Sequence, residues 1–217
     1  RSSSAAVVPL ALLGPTTEAE AAWSDGARLA MRLRVCGRAA ASADVVVHGR
    51  YAITGGLGGL GLRAAAMLAD GGAPRVLLAS RGGRITRDGQ GLDEQLQSLR
   101  TVAVVVACDS ADLPDTGALC SGEPLSGVLH AAGVGDKGLL VALEARRVQW
   151  MCASKAIGAW NLHCAVATQP LEACILFSSV GSGLGNVGQA NYAVANASLD
   201  THACSQRAHG TAVCSLQ

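Results

Sequence analysis

Tyr192 and Asn196 stand one helical turn apart in "GQANYAVANASLD", residues 188–200. The chain holds two Tyr, three Trp and one Phe in 217 residues. A phenol used so sparingly, in a run of small residues, is a candidate for proton transfer rather than for filling a core. A helix over residues 190–208 sets both side chains on one face. Leu199 and Ala203 continue that face inward, while Asp200, Gln206 and Arg207 lie off it. Ser179 closes the apolar run "ACILFSS" upstream and brings a hydroxyl toward the same end of the molecule.

Lys155 is the next candidate. The helical stretch 139–168 carries an apolar stripe through Val148, Met151 and Cys152, position 155, Ala159, Leu162 and Val166. A lysine on a core-facing stripe is costly unless it is paired or functional. The alternative is an aliphatic stem whose head reaches the rim. An ammonium beside a phenol stabilises the phenolate, which suits Tyr192 to give and take a proton.

A different chemistry is written in "YAITGGLGGLGL", residues 51–62. A buried strand, a glycine turn and a helix follow one another there, with Gly55, Gly59 and Gly61 at T-G-x-x-x-G-x-G spacing. Thr54, Leu57 and Leu60 belong to the same turn. Such a turn lets backbone N–H groups approach a pyrophosphate at a helix N-terminus. A turn that merely packs a helix closely is the alternative. The second strand ends in "LLASRGGR": Ser80 and Arg81, with Arg84 nearby, stand where an NAD site offers an acidic residue. A cation there suits the 2′-phosphate of NADPH, unless Arg81 is only a solvated loop residue. Asp109 ends the third strand as an acceptor for an adenine amino group, or else Asp109 or Ser110 caps a helix. "HAAG" ends the fourth strand, and the small Ala131, Ala132 and Gly133 let backbone lie against a cofactor. His130 reads as structural.

The elements that must position these residues alternate. "RYAIT", "PRVLLAS", "TVAVVVACD", "SGVLHAAG" and "ACILFSS" are short apolar runs expected to be strands buried on both faces, with "GTAVCSLQ" a sixth. Helical stretches near 59–70, 91–99, 111–120, 139–168 and 190–208 lie between them, which predicts an α/β, Rossmann-like doubly wound parallel sheet. Residues 1–49 are Ala-rich and weakly patterned, except "RLAMRLRV". There Leu29, Met31, Leu33 and Val35 alternate with Arg28, Arg32 and Arg34 as in a strand with one wet face. Net charge is +1, which gives no basis for a nucleic-acid or membrane-surface partner. The eight Cys show no zinc-ligand spacing and no C-x-x-C pair, so buried, reduced thiols of a cytoplasmic protein are expected, without a metal. No apolar run is long enough to span a membrane. "AAVVPLALL" is interrupted by Pro9, and Arg1 is not an initiator Met, so the chain reads as part of something longer.

"TGGLGGLG", "HAAGV", "SKAIGAWNLH", "FSSVGSGLGNVGQANYAVAN" and "SLQ" occur in order, and from about residue 50 onward the chain resembles the ketoreductase domain of a modular type I polyketide synthase. That resemblance implies the short-chain dehydrogenase/reductase fold, here ending before its last strand and lid. It implies residues 50–217 as an NADP-binding catalytic subdomain and residues 1–49 as the tail of a structural subdomain. Most short-chain reductases carry Lys four residues after Tyr; the ketoreductases resemble one another in exchanging Lys and Asn. Asn196 and Lys155 match that exchange. The implied activity is NADPH-dependent reduction of a β-ketoacyl thioester on an acyl carrier protein, beside neighbouring synthase domains. By the same resemblance Tyr192 protonates the alkoxide, Ser179 polarises the carbonyl, Lys155 tunes Tyr192 and holds a ribose, and Asn196 fixes a water. Two departures are visible. Gly135, Asp136 and Lys137 stand where one stereochemical class has L-D-D, and Leu184 stands where the other has Trp. The rival readings are a stand-alone reductase of a small carbonyl compound and a catalytically silent nucleotide-binding scaffold. The family's missing last strand and lid would leave the chain alone unstable and nearly inactive.

Overall fold

The computed structural model describes residues 22–24, 27–29, 46–87 and 89–217. The chain divides into two units, Arg1–Ala43 and Asp44–Gln217. In the first, β1 (Ala22–Ser24) pairs antiparallel with β2 (Ala27–Leu29). The expected strand over 28–35 is thus seen through Leu29, and its remainder lies outside the described residues.

The second unit is built on six parallel strands. They are β3 (Arg50–Thr54), β4 (Arg75–Ser80), β5 (Ala103–Ala107), β6 (Leu125–His130), β7 (Ala173–Phe177) and β8 (Val213–Leu216). Their order across the sheet is β5-β4-β3-β6-β7-β8. Successive strands step outward on one side of β3 and then, from β6, on the other. The order reverses between β3 and β6, and in open α/β sheets ligands bind beyond the carboxyl ends of the strands at such a reversal. Residues Thr54–Gly55 and His130–Ala131 stand at that point, joined by an Ala131 N–H donating to the Thr54 carbonyl at 2.9 Å.

Alternation along β3 and its neighbours builds two of the three buried clusters among the described residues. Tyr51 and Ile53 of β3 pack with Leu62, Ala65, Val76, Leu78 and Leu129 on one face. Ala52 packs with Leu77, Ala79, Val128, Leu162 and Val166 on the other. Ile53 and Leu78 are fully buried, each contributing about 1.5–3 kcal/mol through removal of apolar surface from water. The helices are α1 (Gly59–Asp70), α2 (Leu92–Ser98), α3 (Leu113–Cys120), α4 (Ala145–Cys152), α5 (Gly158–Val166), α6 (Gly181–Leu184) and α7 (Ala190–Ala208).

Three expectations are corrected. β5 is not buried on both faces: it is an edge strand, with Val104 44% and Val105 39% exposed. A valine run has the same appearance at the rim of a sheet as at its centre. The stretch 139–168 is not one helix. A 3₁₀ turn at Leu140–Ala142 precedes α4, and a π-turn at Ala153–Ile157 separates α4 from α5. The described thiols are all free, but Cys164, Cys204 and Cys214 are exposed rather than buried. Burial pushes Cys108, Cys120 and Cys174 up to about 11, so these stay protonated thiols.

Candidate active site

A cleft of about 300 Å³ opens beyond the carboxyl ends of β3, β4 and β6. Its floor is the turn between β3 and α1, with Thr54, Gly55, Leu57, Gly59, Leu60 and Gly61. Gly55 has φ of +68°, and a Cβ there would lie 2.6 Å from the Ala131 backbone. A Cβ at Gly61 would lie 2.5 Å from the Gly55 carbonyl oxygen. These two glycines fold the turn upon itself. Gly59 differs: nothing lies within 4 Å of where its Cβ would stand. The open space over Gly59, at the first residue of α1, is the cradle that an anionic group at a helix N-terminus fills. Gly55→Ala is expected to cost about 2 kcal/mol or more, because it combines a strained φ with a backbone clash. Equilibrium urea unfolding measures it, and wild-type stability in that variant would contradict the packing described.

The cleft walls follow from the other strand ends. Ser80 and Arg81 close β4, with Arg84 and Arg87 beyond them. The Ser80 hydroxyl oxygen is buried without a hydrogen-bond partner among the described residues, which leaves it free for a ligand oxygen. Asp109 lines the wall after β5, and its carboxylate accepts from the Ala111 N–H at 3.0 Å. Neither Asp109 nor Ser110 caps a helix. Asp112 caps α3, accepting from the Asp115 N–H at 2.9 Å. Ala131, Ala132 and Gly133 form the wall after β6. The residues read from sequence as nucleotide contacts thus share one cleft; Arg87, Ser110 and Ser154 join them there. Arg87 had a signal, being the third cation of "RGGRITR".

Gly133 links this cleft to a second cluster. A Cβ on it would lie 3.1 Å from Lys155 Cε. Lys155 is only 5% exposed, so its head does not reach the rim. Its ammonium donates to the Phe177 carbonyl at 2.9 Å and stands 5.7 Å from the centre of the Tyr192 ring. Burial lowers its pKa to about 8, and Asp200 opposes that shift. Asn196 Nδ2 donates to the Tyr192 carbonyl at 2.8 Å, while its Oδ1 is buried without a partner among the described residues. Ser179 Oγ accepts from the Gly181 N–H at 3.1 Å. A Cβ on Gly181 would touch Ser179 Oγ at 3.4 Å and the Tyr192 ring at 4.0 Å, so hydroxyl and phenol flank that glycine.

Two supports complete the cluster. His130 is fully buried, with Nε2 3.0 Å from the Lys155 carbonyl and Nδ1 2.7 Å from Thr54 Oγ1. A carbonyl can only accept, so Nε2 carries the proton and Nδ1 accepts from the threonine. Burial, helped by the Lys155 charge, lowers the imidazole to about 4 and keeps it neutral. It is the structural residue expected, and it ties the nucleotide strand to the lysine. Asp136, from the segment Gly135, Asp136 and Lys137, accepts from Arg147 Nε at 3.0 Å and from Asn191 Nδ2 at 2.7 Å. The Arg147 hydrogen bonds hold its carboxyl below the usual range. This clamp fastens the loop after β6 to the start of α7. Asp200 corrects the sequence reading: its carboxylate turns inward and accepts from Ser182 Oγ at 2.7 Å.

Comparison with known proteins bears on this geometry. The family model described as KR domain matches residues 49–217. A mycocerosic acid synthase-like polyketide synthase of Mycobacterium tuberculosis is 43% identical over 161 residues, covering 70% of this chain and 7% of that protein. The erythronolide synthase EryA2 of Saccharopolyspora erythraea is 39% identical over 171 residues, 77% of this chain and 5% of that protein. The solved first ketoreductase of the tylosin polyketide synthase superposes with a TM-score of 0.84 at 34% identity, covering 96% of this chain and 46% of that one. An A1-type ketoreductase does so at 0.81 and 34%, covering 91% and 43%. The chain therefore spans a small part of the curated relatives and less than half of these solved ketoreductase chains.

Proposed function

Because this chain belongs to the KR-domain family, the ketoreductases of modular polyketide synthases within the short-chain dehydrogenase/reductase superfamily, we propose that it reduces a β-ketoacyl thioester, presented by an acyl carrier protein, to the β-hydroxyacyl thioester with NADPH. The observation that carries this reading is the contact of Gly133 with Lys155. It brings the lining of the nucleotide cleft beside the lysine whose ammonium faces the Tyr192 ring.

The cofactor, when bound, supplies the hydride. This chain's residues do the rest. The α1 N-terminus over Gly59 would hold the pyrophosphate. Ser80 and Arg81, with Arg84 and Arg87 beside them, would hold the 2′-phosphate, and Asp109 would accept from the adenine amino group. Ser179 donates to the substrate carbonyl oxygen, whose charge grows during reduction. Tyr192 delivers the proton to that oxygen. The Lys155 ammonium stands over the phenol ring and would hold the nicotinamide ribose. Asn196 Oδ1, buried with a vacant lone pair, holds a water that returns the proton. Oxidation of NADPH with a simple β-keto thioester, followed at 340 nm by absorbance, tests the reading. Tight NADPH binding without turnover would instead favour a silent scaffold.

Cofactor choice is separately testable. Arg81→Asp should weaken NADPH binding about tenfold or more, with little change for NADH, because only NADPH brings the phosphate that pairs with the guanidinium. Isothermal titration with both cofactors measures this, and equal losses would refute the assignment.

A further inference from the structure

Tyr192 lies in the first turn of α7, where backbone N–H groups have no partner within the helix. Helix ends fray, so a phenol carried there needs its backbone held from outside. Gln189, which precedes the helix, gives no side-chain cap. Asn191 supplies the missing acceptor: its Oδ1 takes the Tyr192 N–H at 2.9 Å. The other end of the same carboxamide donates from Nδ2 to Asp136 Oδ2 at 2.7 Å. A carboxylate only accepts and a backbone N–H only donates, so the amide has one orientation that serves both. Asn191 is 2% exposed, so its amide meets these partners rather than bulk water.

Asp136 is itself held from several directions. Oδ2 also accepts from Arg147 Nε at 3.0 Å. Oδ1 accepts from the Lys137 N–H at 3.0 Å and from Arg147 Nη2. Four hydrogen bonds fill the capacity of a carboxylate. Arg147 Nη2 donates as well to the Lys137 carbonyl at 2.7 Å, and the Gly138 N–H donates to the Gly188 carbonyl at 2.8 Å. The loop that leaves Lys155 at Gly133 is thereby fixed to the backbone that enters α7.

We propose that Asp136 and Arg147 are positioning residues that act through Asn191 to set the place of Tyr192, and that they touch neither substrate nor cofactor. The meaning of this relay for turnover rests on the ketoreductase reading above. The placement of the ring does not, so the test reads the ring directly. The chain holds two tyrosines, Tyr51 and Tyr192. Incorporated 3-fluorotyrosine therefore gives two fluorine signals, and Tyr51, buried in the β3 core, reports on the fold.

Asn191→Asp keeps an oxygen for the Tyr192 N–H but sets a second carboxylate against Asp136, and like charges so close repel. In the full chain it should displace the Tyr192 signal and leave that of Tyr51 in place. It should also lower kcat with a β-keto thioester about tenfold or more, while the Kd for NADPH changes less than about twofold. Adding Asp136→Asn exchanges amide and carboxylate and restores a complementary pair, so the doubly substituted chain should regain the wild-type Tyr192 signal and most of the lost turnover. Asp136→Ala removes the acceptor without adding charge and should displace the same signal, should the paired carboxylates prevent folding. A clamp that only stabilises the fold would lower the melting temperature and leave both fluorine signals of the folded chain unmoved, which overturns the proposal. So does a Tyr192 signal that stays displaced in the exchanged pair. A displaced and then restored signal in a chain without reductase activity keeps the relay and rejects the ketoreductase reading instead.

Discussion

Tyr192→Phe should lower turnover with a β-keto thioester by about a hundredfold to ten-thousandfold, the range expected when a positioned general acid is removed, while NADPH binding changes by less than about twofold. The reasoning is local. The ring keeps its place, because Tyr192 is fixed through its backbone: its N–H donates to Asn191 Oδ1 at 2.9 Å and its carbonyl accepts from Asn196 at 2.8 Å. The phenylalanine also preserves the 5.7 Å approach of the Lys155 ammonium to the ring face. What disappears is the proton. Stopped-flow NADPH oxidation and fluorescence titration of the cofactor separate the two effects. Turnover within tenfold of wild type would remove Tyr192 from the proposed chemistry.

Lys155 should behave differently. Lys155→Ala is expected to reduce turnover about a hundredfold or more and to weaken NADPH binding as well, since one ammonium serves both phenol and ribose. Lys155→Met separates this from unfolding. The lysine pKa is lowered to about 8 by burial, against an ordinary value of 10.5. Between those values the unfolded chain binds more protons than the folded one, so the wild-type fold gains stability as pH rises through that window. At pH 7 the buried charge is a burden, and the apolar, similar-sized Lys155→Met variant should melt no lower than wild type. Thermal melts at pH 7 and pH 9.5 check the sign, with the variant's advantage shrinking at the higher pH. A fully active Lys155→Ala chain would defeat both the buried-lysine reading and the exchanged Lys and Asn.

Much of this was legible beforehand for reasons that particular residues make plain. The β3 turn was readable because Gly55 and Gly61 answer a steric demand that no other residue type meets. Lys155 was readable because a charge interrupts an otherwise apolar stripe whose neighbours Met151, Ala159 and Leu162 are all buried. Other features carried no such mark. Val104 and Val105 have the same composition whether they lie at the rim or the centre of a sheet. Asp112 rather than Asp109 became the helix cap because three aspartates lie within a few residues and only the chain path chooses among them. Asp200 was set aside because a carboxylate is ordinarily a solvated residue, and the groups that hold it, Ser182 of α6 and Gln217 after β8, come from outside its own helix.

The π-turn at Ala153–Ile157 acts as a phase shifter. The helical run on either side keeps its own angular bookkeeping, with Met151 buried before the turn and Ala159, Leu162 and Val166 buried after it. A regular helix has one fixed rotation between its two ends. The wider turn fits more residues into each turn and so rotates less per residue, and Lys155 lies inside it. The lysine can therefore face inward without displacing either apolar run from its own partners. The Lys155 carbonyl, loosened from regular helical pairing, is taken up by His130 of β6. The backbone at the lysine is thus held from the strand that also ends at the nucleotide cleft.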